Sequence, residues 1–399
     1  MEGAPRLPLK TPTASGGRLR ELDALRGIAA FAVVLHHNLL TVKLPPILFA
    51  LLLQSPLNIV ATGRMAVMFF FVLSGFVLAR SLQGKDGGMS WQLWLSWILQ
   101  RSIRLILPTA GAVLLSSALY MLLYSGHWLG EPRYIEVSVW TERPTLREIL
   151  DQSLLLRATF GLDNSLWSLV HEWRISFLLP IVAAVPFLRS NAAAVPILLV
   201  GLAAAGFGAD SWGSDPDGLR VAFLGSPLLA SLKLTIYFIL PFAVGVALDR
   251  LRVDEFRAPR AWLVTGSIAA IGLARVCDDF AGYMLAAIVI WLALHPGRFG
   301  RVLRGPILQW LGRVSFSLYL THEVLMGALQ HALHTRFGPG AIAMTSVVTA
   351  LPFAYLFYLA VERPAHRLAR FTSRTLGRPR QVQIDMAPRS PAWGGADGA

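Results

Sequence analysis

ELDALRGIAAFAVVLHH, residues Glu21–His37, is the stretch whose reading decides the fold. A charged head leads into a run of apolar and small residues that ends on two histidines, which is the make-up of a helix in lipid rather than in water. Arg26 and His37 stand eleven positions apart within it, with ten residues between them. On an α-helix that separation is about three turns, returns to nearly the same face and rises roughly 16 Å. A guanidinium near one membrane surface therefore has an imidazole beneath it, about halfway into the hydrocarbon. Ionisable groups at that depth are costly and mark function. The helix reads as the catalytic one.

Composition agrees with a membrane setting. Of 399 residues, 55% are hydrophobic and only 15% charged, against about a quarter charged in soluble domains. The first twenty or so residues are polar, so no cleaved signal peptide is expected. A single cysteine, Cys277, excludes an internal disulfide and a Cys-based metal site and reads as an apolar filler. The net charge of +13 is better explained by membrane orientation than by nucleic acid, and no nucleic-acid partner is expected.

About ten apolar segments approach the length needed to cross some 30 Å of hydrocarbon. They lie near residues 24–42, 62–82, 103–124, 166–188, 192–209, 226–248, 261–277, 280–295, 307–331 and 341–361. The seventh and eighth are short enough to be a re-entrant pair, and Pro45–Gln54 is too short to span. Arginine clusters at 250–260, at 298–313 and after Val361 fall on one side if the N-terminus is cytoplasmic, while Asp210, Asp215 and Asp217 fall on the other. The fold class expected is an all-α polytopic bundle with both termini cytoplasmic. Residues 1–20 and 371–399 are expected to be disordered cytoplasmic ends and 21–370 one transmembrane domain in the cell membrane. No internal repeat is visible, which weighs against an inverted-repeat transporter. The loop at 125–165 is long for a connection, and its Trp128, Glu131, Tyr134, Glu136, Trp140, Glu142 and Asp163 would suit a sugar-like ligand or an ordered lid.

Four further polar stretches interrupt the apolar spans. Ser74-Gly75, in FFFVLSGFVLAR (Phe69–Arg80), permits close helix approach. Arg101 and Arg104 share a helical face and could hold phosphates bidentately or mark the inner boundary. In SLWSLVHEWRISFLLP (Ser165–Pro180), Glu172 could orient His37, receive an acceptor hydroxyl or pair with Arg174. In GRVSFSLYLTHEVLM (Gly312–Met326), Ser315, Tyr319 and His322 line one face, and Glu323 adds a second titratable group deep in the span.

Taken in order, Arg26-x10-His37, Phe70–Phe76 (FFVLSGF), Arg101-xx-Arg104 with Pro108, Trp167-Ser-Leu-xx-Glu172, Ser315–His322 and Glu362-Arg-Pro resemble the membrane acyltransferase family 3, over residues about 18–370. That resemblance implies about ten helices, acyl-CoA as a cytoplasmic co-substrate with no bound cofactor or metal, and an Arg26–His37 catalytic pair. It also implies that Arg101 and Arg104 serve the donor side. Gln100, and Trp-Arg-Ile-Ser after Glu172, depart from the commoner family pattern. Glu172 joins the pair as a catalytic candidate. Ser74 and Gly75 join Arg26, Arg101 and Arg104 on the donor side, and Tyr319, His322, Trp167 and Ser168 line the substrate cavity.

The function expected is transfer of an acyl group, acetyl first, to a hydroxyl of a carbohydrate or cell-surface polysaccharide. A small-molecule or lipid acceptor is the alternative within that class. A transporter or flippase, with no covalent chemistry, is the alternative outside it.

Overall fold

The computed structural model describes residues 19–51, 63–82, 91–126, 139–140, 143–157, 161–184, 228–255, 264–268 and 278–376, with isolated positions between them. The expected span at 192–209, most of that at 261–277, Cys277, the acidic residues at 210–217 and the two chain ends lie outside the described residues. So do Trp128, Glu131, Tyr134, Glu136 and Glu142.

Every described element is a helix. In chain order they are α1 (Arg20–Leu40), α2 (Pro46–Phe49), α3 (Gly63–Leu82), α4 (Trp91–Leu123), α5 (Leu146–Ser153), α6 (Leu166–Ala184), α7 (Leu228–Tyr237), α8 (Ile239–Arg250), α9 (Asp278–Leu294), α10 (Arg298–Leu303), α11 (Pro306–Leu333), α12 (Pro339–Phe357) and α13 (Arg363–Leu376). A π-turn, Tyr358–Glu362, carries α12 into α13 without a break. The chain therefore stays helical to Leu376, six residues into the segment expected to be a disordered tail.

Three described helices are long and apolar enough to cross a membrane: Gly63–Ser81, Trp94–Leu123 and Pro339–Thr372. Their outward faces are apolar too, with Leu114, Met121 and Leu122 on α4 and Met344, Val348 and Leu356 on α12 all exposed. Such a surface suits hydrocarbon. Helices α1, α6 and α11 have the length but carry Arg26, His37, His171, Glu172, Arg174, His322 and Glu323 among their apolar residues. His37, Glu172, His322 and Glu323 among them build the site.

Two backbone contacts set the frame. Gly27 of α1 faces Gly312 of α11, and a Cβ on either would lie 2.5 Å or 2.3 Å from the other helix's backbone. Bonds from Gln309 to Arg20 and from Arg304 to Glu21 continue the same register, so the helices run parallel. In the second contact, Gly75 of α3 meets the carbonyl of Phe242, and Gly245 of α8 meets that of Val72. Only hydrogen in place of a side chain allows such approach. Arg80 then clamps α3 to the end of α8 through Asp249 at 3.0 Å and Asp254 at 2.8 Å.

Candidate active site

Parallel register carries the Gly27–Gly312 contact forward to the chemistry. Ten residues further along each helix (27 to 37 and 312 to 322) stand His37 and His322, and their rings stack with centroids 5.0 Å apart. His37 Nδ1 lies 2.9 Å from His322 Nε2. It also lies 2.8 Å from Glu323 Oε1, within ion-pair distance. The carboxylate there acts as a charge neighbour.

The hydrogen positions follow from the acceptors. His322 Nδ1 sits 2.7 Å from the carbonyl of Tyr319, which can only accept, so that nitrogen carries the hydrogen. In the neutral ring Nε2 is then a lone pair, and it accepts from His37 Nδ1–H. His37 is left with its basic lone pair on Nε2, the tautomer a general base needs.

Glu323 is wholly buried and anchored from the other side. Its Oε2 accepts from the backbone N–H groups of Asn164 and Ser165 at 2.7 and 3.0 Å, just ahead of α6. Donors at a helix start favour an anion. Asp163, also fully buried, accepts from Ser165 Oγ at 2.6 Å and Ser165 N at 3.2 Å. Burial pushes its carboxyl well above the usual range, and the charge of Glu323 pushes it further.

Helix α6 extends this polar line along one face through Ser165, Ser168, Glu172 and Ser176. Ser168 Oγ bonds Tyr319 Oη at 2.7 Å, and Tyr319 Oη donates to the Ser165 carbonyl at 3.0 Å. One turn on, Glu172 Oε1 takes Arg101 at 2.8 Å and Ser74 Oγ at 2.9 Å, and Arg101 Nε reaches Ser176 Oγ at 2.7 Å. Arg101 also borders a narrow crevice with Trp97, Trp173 and Phe177.

The expected site residues thus fall into connected groups. His37, His322, Tyr319 and Ser168 come together around Glu323. Arg101, Ser74 and Glu172 form a second cluster, and Arg101 and Arg104 both feel the charge of Arg26. Arg26 itself leans on Asp23 at 3.6 Å.

Three expectations are corrected, for Glu172, Trp167 and Gly75. Glu172 bonds neither His37 nor Arg174, because Arg101 and Ser74 hold it. Arg174 instead donates to Ser231 Oγ and to the carbonyl of Leu156, each at 2.7 Å. Trp167 packs on Phe238 and His171 rather than beside Tyr319. Within the long loop, Trp140 and Asp163 are turned inward and buried, Trp140 lying on His331 and donating to Ser116 at 2.8 Å. Gly75 is occupied by its contact with α8.

Sequence reasoning noticed Glu323 and left it out of the site, and it passed over Ser165. The polar 165–168–172–176 spacing was the available signal.

His37, His322 and Glu323 also form a set that could hold a metal ion. Two ligands at about 2.0–2.1 Å from a tetrahedral zinc lie over 3 Å apart. The observed 2.8 and 2.9 Å are hydrogen-bond separations, so a cation would have to spread the set.

A family model described as an acyltransferase domain matches residues 19–359. Relatives include "Acyltransferase MdmB" of Streptomyces mycarofaciens, 26% identical over 356 residues, covering 82% of this chain and 85% of the relative. Another is "O-acetyltransferase PaAT-1" of Phomopsis amygdali, 25% identical over 399 residues, covering 79% of this chain and 74% of the relative. No solved structure matches. With the domain match spanning most of its length, the chain belongs to the acyltransferase family 3 and is an acyltransferase.

Proposed function

We propose that the protein moves an acyl group, acetyl first, from cytoplasmic acyl-CoA to a hydroxyl of a carbohydrate or cell-surface polysaccharide. It does so as a multi-pass protein of the cell membrane, with about ten spans and both termini cytoplasmic. The observation that carries this reading is the His37–His322–Glu323 arrangement, a histidine with its tautomer set by a neighbour and a carboxylate beside it. The relative bearing the name O-acetyltransferase supports acetyl as the group.

In this scheme His37 Nε2 takes the proton of the acceptor hydroxyl as its oxygen attacks the thioester carbonyl carbon. The new C–O bond forms, the C–S bond breaks and the thiolate leaves. The imidazolium returns its proton to sulfur, giving free CoA thiol and the ester. While His37 is charged, Glu323 Oε1 at 2.8 Å neutralises it within a low-dielectric surround. Arg26 and Arg104 would steer the donor's anionic end, and Arg101 would do so only by loosening its pair with Glu172.

The test is transfer of labelled acetate from acetyl-CoA to isolated glycan by the purified full chain. Wild-type transfer that His37→Ala abolishes is expected. Unchanged transfer by His37→Ala would overturn the assignment.

A further inference from the structure

Helix lengths place a second set of charges where a donor would dock. Helix α4 has 33 residues and the continuous helix Pro339–Thr372 has 34, whereas about 20 span the hydrocarbon. Each must project beyond it by several turns. On the proposed topology the projecting parts are the start of α4, with Arg101 and Arg104, and α13, which packs along α4.

The phase of α13 assigns its faces. Ala365 and Ala369 are buried, and such small side chains let two helix axes come close. Arg363 and Arg367 are exposed. His366, half-buried, and Arg370, exposed, stand four apart on the edge next to Ala369. This edge adjoins Arg104, which feels the charges of Arg101, Arg26 and Arg370 and of one carboxylate, Glu362. Glu362 is already engaged: it is buried, accepts from Ser317 N at 3.1 Å and from Ser317 Oγ, and lies 3.8 Å from His366 Nε2.

Neither Arg104 nor Arg370 has a carboxylate within ion-pair distance among the described residues. Clustered cations without counter-ions repel one another, and an anion relieves the repulsion. Arginine's planar fork suits phosphate oxygens.

We infer that Arg370 and His366 of α13 complete, with Arg104 of α4, a phosphate-binding site for the nucleotide end of the acyl donor. This rests on the acyl-CoA reading and extends it to a helix beyond residue 359, where the family match ends. A lipid headgroup offers the same phosphate chemistry from a different source. The donor is favoured because Arg104 and Arg26 lie in the same charge field as the site.

The experiment measures coenzyme A binding to the purified full chain by calorimetry, in phosphatidylcholine and in phosphatidylglycerol vesicles, and the KM for acetyl-CoA. Arg370→Glu should weaken binding and raise KM about tenfold or more while kcat holds within about twofold. Arg370→Lys should recover most of the loss, and Arg367→Glu, on the side of the helix opposite Ala365 and Ala369, should match wild type. Arg370→Gln gives the same reading, more weakly, if the glutamate variant is poorly folded. Coenzyme A binding by Arg370→Glu equal to wild type would overturn the inference alone. A defect confined to phosphatidylglycerol vesicles would assign the anion to lipid and overturn the donor site. Wild-type protein that fails to bind coenzyme A would remove the acyl-CoA reading and this inference with it.

Discussion

His37 Nδ1 and His322 Nε2 are 2.9 Å apart, and the Tyr319 carbonyl on the far side of His322 decides which of them carries the hydrogen. The order runs from carbonyl to His322 to His37, and it ends on a bare Nε2. Histidines are usually oriented by a carboxylate. Here a second imidazole orients the first, and the carboxylate of Glu323 stands beside the pair as a charge.

Glu323→Gln should therefore lower kcat about 10²–10⁴-fold with little change in donor KM. The amide can still accept from Asn164 and Ser165 but cannot neutralise a charged His37. Initial rates of acetyl transfer give the answer, and a kcat within twofold of wild type would show that the carboxylate is only an anchor.

His322→Phe removes the acceptor and retains the ring shape. The Nδ1 hydrogen is then left with only the Glu323 carboxylate 2.8 Å away, His37 loses the imidazole stacked on it, and kcat should fall at least about tenfold. His322→Gln, which offers an acceptor oxygen, should recover part of that loss. Equal rates for the two variants would rule out a role for the acceptor at position 322.

Gly312→Ala tests the register. Its Cβ would meet the carbonyl of Asp23 at 2.3 Å, so α1 and α11 must move apart. Overpacking of this kind costs about 1–3 kcal/mol, and a displacement near 1 Å can cost about a hundredfold in rate. Activity should thus be lost at temperatures where the protein remains folded, as judged by thermal unfolding in detergent.

The Arg101–Glu172 pair is only partly buried, at 22% and 19% side-chain exposure. Arg101→Ala and Glu172→Ala should each lower stability by about 1–3 kcal/mol, and the double variant should cost less than their sum. Additive losses in unfolding temperature would mean that the two groups do not interact.

Asp163 gives a pH signature. Its folded-state pKa is raised by burial and by Glu323, so the folded protein binds the extra proton. That favours folding below the ordinary carboxylate value of about 4 and is lost progressively as pH rises toward the raised value. Asp163→Asn cannot titrate. The unfolding temperature of wild type minus that of the variant should therefore fall as pH rises above about 4, the ordinary carboxylate value, and a flat difference would place the proton elsewhere.

Much of this was legible in the chain. Which residues share a helix face is a local property set by the 3.6-residue period, and so Arg26 with His37, and Tyr319 with His322, could be read directly. Polar residues inside apolar spans announced themselves by their cost. For the long loop the sequence left two readings open, ligand contact or an ordered lid, and the burial of Trp140 and Asp163 fits the second.

By itself, then, the sequence determined an all-helical chain, the polar faces of its helices and the family to which it belongs. Only the tertiary structure decided which face meets which. His37 and His322 are 285 positions apart, and no helical period reaches across that separation. Their meeting depends on two glycines that let α1 and α11 touch backbone to backbone. Glu172 went to Arg101 rather than to His37 for the same reason: a buried charge takes the partner that packing brings within bonding distance.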